Sequence, residues 1–153
     1  RDTARCPVTR PRDIGTQAET AVVRYLRAHG WPHAERRALR GTHDAGDITG
    51  TPGVCWEVKA GHAAETAGDG TIDRWLNETQ MEAKHARADW GVLVVKRAGH
   101  GMRSVGDWWA IIPLTDFVDY GVGSEDRFPD VPVRLLLEPF CQLLHTLGYG
   151  EQT

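Results

Sequence analysis

The sequence predicts a single mixed α/β domain built on a central sheet, and three observations carry that prediction. The chain has 153 residues, a length at which one domain buries about 70% of its extended surface. Its apolar share of 41% and charged share of 25% are those of a globular protein, not of a disordered one. Helical and strand-like patterns then succeed one another as α-β-β-β-α-β-β, with no internal repeat and no low-complexity segment.

Residues 1–14 carry prolines and charges without periodicity and read as an arm. The first helix is expected over 16–29, with Thr16 as N-cap, an apolar stripe of Ala18, Val22, Tyr25 and Leu26, and Gly30 as its stop. Residues 31–40 are expected to hold a short strand that ends in the basic group Arg36, Arg37 and Arg40. A hairpin follows: 46–50, a Thr51-Pro52-Gly53 turn, and 54–60, rich in β-formers. After a glycine-rich loop over 61–70, a second helix is expected over 72–88, buried through Trp75, Leu76, Ala83 and Ala86. Strands over 92–97 and 107–112, a short helix over 114–120 and a last apolar helix over 139–147 complete the chain.

Several function classes are excluded at this level. No apolar run reaches the length of a membrane span and no charged-then-apolar leader opens the chain, so a cytoplasmic protein that does not enter the membrane is expected. Cys6, Cys55 and Cys141 are far apart and form no Cys-x-x-Cys pair, which disfavours a disulfide framework or a structural zinc site. There is no Gly-x-Ser-x-Gly elbow, phosphate-binding loop or dinucleotide fingerprint. The net charge of −3 is unevenly spread: residues 1–40 hold nine basic and four acidic groups, residues 104–153 two and eight. A basic first third suits a phosphate-facing patch, though chance asymmetry on a solvated surface gives the same count.

The stretch that carries chemistry is Asp47, then Glu57-Val58-Lys59. Side chains alternate along a strand, so Glu57 and Lys59 share one face while Trp56 and Val58 take the other. Asp47 shares that face only if paired residue numbers across the hairpin sum to 104, which requires a three-residue turn with Gly53 at positive φ. Paired carboxylates with open positions suit Mg²⁺ or Mn²⁺, and a neighbouring lysine can orient water or offset charge on a phosphoryl group. The same residues also fit an exposed hairpin with a Glu/Lys face. Glu19 likewise has two accounts: a capping-box partner of Thr16, or an inward carboxylate of the site. Gln80, Lys84 and Arg87 recur at helical spacing and form a polar stripe, either solvated or facing a polyanion.

Taken in order, Gly15…Ala18-Glu19, His29-Gly30-Trp31, Gly41-Thr42, Asp47-Ile48 and Glu57-Val58-Lys59 resemble the archaeal-type and phage Holliday junction resolvases of the PD-(D/E)xK nuclease superfamily. Residues 89–97 and Trp108-Trp109-Ala110-Ile111 are similar to that family's last two core strands, so the resemblance covers about 15–113. Two departures stand out: Thr42 occupies the place of a usual serine, and Gly46 the place of the proline before the aspartate.

The resemblance implies a restriction-endonuclease-like fold, with an arm over 1–14, a nuclease core over 15–113 and a C-terminal extension over 114–153 packed on the same domain. It implies a Mg²⁺-dependent endodeoxyribonuclease, with Mn²⁺ as substitute, cutting four-way junctions in DNA recombination. Glu19, Asp47, Glu57 and Lys59 are then the catalytic residues, the metal being held by Asp47, Glu57 and the Val58 carbonyl, with Glu19 completing the site. DNA would meet Arg36, Arg37, Arg40, Thr42, Gln80, Lys84 and Arg87. Two matched cuts on one junction make a homodimer the expected state, with Trp108, Trp109 and a Phe140, Leu143, Leu144, Leu147 stripe as available apolar surface. A nuclease for other branched DNA, and a non-catalytic DNA-binding module of the same fold, remain as alternatives.

Overall fold

Six strands form one mixed sheet in which each strand lies beside the one that follows it in the chain. The structure, a computed structural model, describes residues 10–38, 45–118 and 131–151. Arg40 and Thr42 lie outside the described residues, as do 1–9 of the expected arm.

Helix α1 spans Pro11–Ala28 and begins earlier than its stripe suggests. Pro11 supplies the reason: its fixed φ and missing N–H suit the first helical position, so the helix starts there, after Arg10. Thr16 is therefore not the N-cap but an interior residue, whose carbonyl accepts the Thr20 hydroxyl at 2.8 Å. Ala18, Val22 and Leu26 do face the core.

The expected strand in 31–40 is reduced to β1, Glu35–Arg36. It pairs antiparallel with β2, Ile48–Thr49, which pairs antiparallel with β3, Val54–Lys59. Ile48 lies opposite Trp56, so the register sums to the expected value, and the three residues of the turn end on Gly53 at φ +80°. The glycine-rich loop contains a short helix, α2 (His62–Glu65). Helix α3, Asp69–Ala86, then crosses back so that β4, Trp90–Val95, runs parallel to β3. Ala86 is exposed rather than core, because Thr79, Glu82 and Ala83 take the inward positions of the last turns.

A single 3₁₀ turn, Val105–Asp107, precedes β5, Trp109–Pro113. Helix α4 (Leu114–Val118) is found where expected. A sixth strand, β6 (Pro132–Leu136), was hidden in the Pro-interrupted stretch; it pairs with β5 and runs directly into α5, Leu137–Thr146.

The two faces of the sheet are covered unequally. On one, α1 and α5 enclose the larger core, with Trp31, Trp56, Trp90, Trp108 and Phe140 buried together. On the other, α3 packs Ile72 and Leu76 against Leu93, Val95 and Ile111. Residues 131–151 thus complete the same sheet and core. This consumes most of the apolar surface offered above for self-association: Trp108 is fully buried, with its indole N–H donating to the His100 carbonyl, and Phe140 and Leu144 are core.

Candidate active site

Glu57 stands on the α3 face of β3, directly opposite Leu93, and is only 7% exposed. Lys59, two residues on, reaches back to it, Nζ donating to Oε1 at 2.5 Å. The lysine stem is guided by the half-buried Trp75, whose ring centroid lies 6.0 Å from Nζ.

Asp47 comes to the same place from the edge of the hairpin. Its backbone N–H donates to the Trp56 carbonyl, and its Oδ2 accepts the Val58 N–H at 2.8 Å. Gly46 explains why the preceding residue is not proline: at φ +86°, a Cβ there would stand 2.7 Å from Cys55 Sγ and 2.8 Å from the Trp56 carbonyl oxygen. Because the N–H and C=O of one strand residue point to the same side, the Val58 carbonyl also faces the Asp47 edge.

The electrostatics match this crowding. Asp47 is pushed up to about 7, first by burial and then by the Glu57 charge, against the pull of the Val58 N–H. Glu57 is also raised to about 7 by burial, although Lys59 opposes the shift. Burial alone would lower Lys59, but Glu57, Asp47 and Glu82 outweigh it and hold the amine above its ordinary range. The lysine is therefore a cation that donates and cannot serve as a general base near neutrality.

Glu82, on the inward face of α3, is the site residue that sequence reasoning missed. It is 9% exposed, hydrogen-bonds with Glu57 and raises that carboxyl. A signal existed: Glu82 falls three residues after the buried Thr79 and seven after Trp75, on the stripe that faces the sheet.

Glu19 is brought within electrostatic reach of Asp47, whose carboxyl it raises. Its own Oε2 accepts from Arg36 Nε and Nη2 at 2.8 and 2.7 Å. The capping-box account fails with Thr16 inside the helix, and Arg36 is an ion-pair partner before it is anything else. Arg37 braces the approach to Asp47, its side chain donating to the Gly46 carbonyl and its backbone N–H to that of Asp47. Gln80 departs from the exposed stripe: its amide donates to the Gly91 carbonyl at 2.8 Å and ties α3 to β4. Lys84 and Arg87 are exposed.

Among the described residues, no group of three or more His, Cys, Asp or Glu is arranged as a metal cage. Mg²⁺ asks less than that, since one or two carboxylates with water and substrate oxygens suffice. A half-buried Asp47 raised by Glu57, and a buried Glu57 raised by Glu82, fit such an ion, whose charge would offset the crowded carboxylates. The charged cluster is centred on β3, a strand inside the sheet, with Glu57 buried under α3 and Lys59 half-buried beside it.

No family model, curated protein or solved structure matches the chain. What the chain itself defines is an α/β protein with a six-stranded mixed sheet flanked by helices, carrying a carboxylate–lysine cluster where β3 meets the start of β2. No helix among the described residues is long and apolar enough to cross a membrane.

Proposed function

We propose that the protein is a Mg²⁺-dependent endodeoxyribonuclease with a restriction-endonuclease-like fold, acting on four-way DNA junctions. The observation that carries this reading is the convergence of Asp47, Glu57 and Lys59 through one hairpin register, in the Asp…Glu-x-Lys order of the nucleases that the chain resembles.

Asp47, Glu57 and the Val58 carbonyl would hold the ion, with Mn²⁺ as a substitute. When bound, the ion supplies Lewis-acid polarisation of a phosphoryl oxygen. Lys59 holds its ammonium on the Glu57 carboxylate, where it can steady the oxygen of an attacking water and offset charge growing on the phosphate. Glu19, held by Arg36, adds negative charge on the Asp47 side, which favours a proton or a cation there. Arg37, Lys84 and Arg87 supply basic surface for the DNA, and a junction that needs two matched cuts implies two copies of the chain.

The test is incubation with four-way, splayed and linear DNA, with and without Mg²⁺. Mg²⁺-dependent cutting of the four-way substrate is expected, lost by roughly a thousandfold in Asp47→Asn or Glu57→Gln while DNA binding survives. Cleavage at an undiminished rate after chelation, or by both variants, would remove the reading.

A further inference from the structure

On the flank of α1 away from Arg36 lies a groove of about 570 Å³, walled by α1 and by the connection between β4 and β5. Its rim carries Arg24 and Arg103, both exposed, and neither makes an ion pair or side-chain hydrogen bond with another described residue. Its floor is apolar, formed by Tyr25, Met102 and Val105, all part of or packed on the core. Asp107, 3.6 Å from His100, and Glu138 lie near the Tyr25 end, and Asp13 stands one helical turn before Thr16 and Gln17 at the other. In a chain of net charge −3, two unpaired guanidinium groups over an apolar floor are a local departure from the average.

Both walls begin at the candidate site. The Lys96 backbone N–H donates to the Lys59 carbonyl, so the β4–β5 connection leaves from beside the site lysine. At the other wall, a Cβ on Gly61, two residues past Lys59, would stand 3.7 Å from Ile14 in the first turn of α1. Glu57 and Lys59 lie on the α3 face and the groove on the α1 face, so DNA held at the site would meet the groove by passing round the end of the sheet where Lys59 and the β4–β5 connection emerge. A guanidinium fork matches phosphate oxygens in pairs, and an apolar floor suits the sugar and base faces between them.

We propose that this groove seats the sugar–phosphate backbone of one arm of the DNA whose junction lies at the Asp47–Glu57–Lys59 site. The inference rests on the nuclease reading for the identity of the polymer, and it adds Arg24 and Arg103 to the residues that contact it.

The full chain is titrated onto fluorescein-labelled four-way DNA by anisotropy, with chelator present, over a series of salt concentrations. Arg24→Gln and Arg103→Gln should each reduce the salt slope of log affinity by roughly 0.9, and the double variant by about twice that. Arg134→Gln, an exposed residue on β6, should leave the slope unchanged. Both target side chains are unpaired, so thermal unfolding of the variants should match the parent and exclude misfolding. An unchanged slope in the double variant while the parent binds overturns the groove, as does an equal drop in Arg134→Gln. If the slope falls as expected but the parent cuts no DNA with Mg²⁺, the groove stands and the nuclease reading falls. If the parent cuts four-way DNA and the double variant binds it with the parent's slope, the groove falls alone.

Discussion

Ile48 lies directly opposite Trp56, and this pairing places Asp47 against Glu57 where β2 begins beside β3. The Thr51-Pro52-Gly53 turn sets the register, its chain reversing through Gly53 at φ +80°. A Cβ at that position would stand 2.6 Å from Tyr149 Cε1 and 3.1 Å from Asp89 Oδ2, two groups joined by a hydrogen bond of 2.9 Å. Gly53→Ala should therefore cost about 2 kcal/mol, from left-handed backbone strain together with displacement of Tyr149. Urea unfolding reads this as a lower midpoint with an unchanged slope; a loss within a few tenths of a kcal/mol would show that the turn relaxes freely.

The hairpin was legible because period-2 alternation and a Pro-Gly turn leave few registers, and only one of them brings the carboxylates together. Glu57 and Lys59 followed from strand parity alone. Other features depended on contacts that no local pattern encodes. β6 is short, lies after a Pro-interrupted segment, and exists because β5 presents a free edge to it. Glu82 is a charged residue on an inward stripe, and its proximity to Glu57 arises only when α3 folds back over β3. Gln80 has the spacing of an exposed residue, yet Gly91 leaves room for its amide: a Cβ there would lie 2.8 Å from Nε2.

His145 joins the C-terminal helix to the end of α1. Its ring nitrogens lie 2.8 Å from the Tyr149 carbonyl oxygen and 2.7 Å from that of His29, and the ring stacks on Trp31 at 4.5 Å between centroids. His145→Phe keeps the stacked ring but removes the polar partners of two carbonyls. A loss of about 1–3 kcal/mol is expected, seen in thermal unfolding as a single lowered transition. A neutral effect would show that solvent already satisfies both carbonyls.

Glu82→Gln should change the site without emptying it. The Glu82 carboxyl raises Glu57 both by its charge and by its hydrogen bond. An amide removes the charge and can donate to Glu57, so the Glu57 carboxyl should ionise at lower pH than about 7. Carbon-13 NMR of the labelled glutamate carboxyl follows this directly. A midpoint that stays where it was would take Glu82 out of the site.

The last prediction couples pH to cation binding. Asp47 and Glu57 are both raised to about 7 in the folded chain, chiefly by burial, against ordinary values of 3.8 and 4.5. A carboxyl raised on folding holds its proton more tightly in the native state than in the unfolded chain. Its contribution is thus fully present below the unfolded value and is lost as pH rises through the folded one. Without divalent metal, stability should fall as pH rises between about 4 and 7. Above that window both carboxylates are charged and repel, which is the state that a divalent cation relieves. Added Mg²⁺ or Mn²⁺ should therefore raise the unfolding temperature clearly at pH 8 and little at pH 5, since protons compete for the same oxygens. Asp47→Asn should remove one of the two charges, so the metal-free protein becomes more stable at pH 8 while its response to the cation disappears. Calorimetry of both proteins, with and without Mn²⁺ at the two pH values, decides the matter. An equal cation response at pH 5 and 8, or one retained by Asp47→Asn, would place the binding elsewhere.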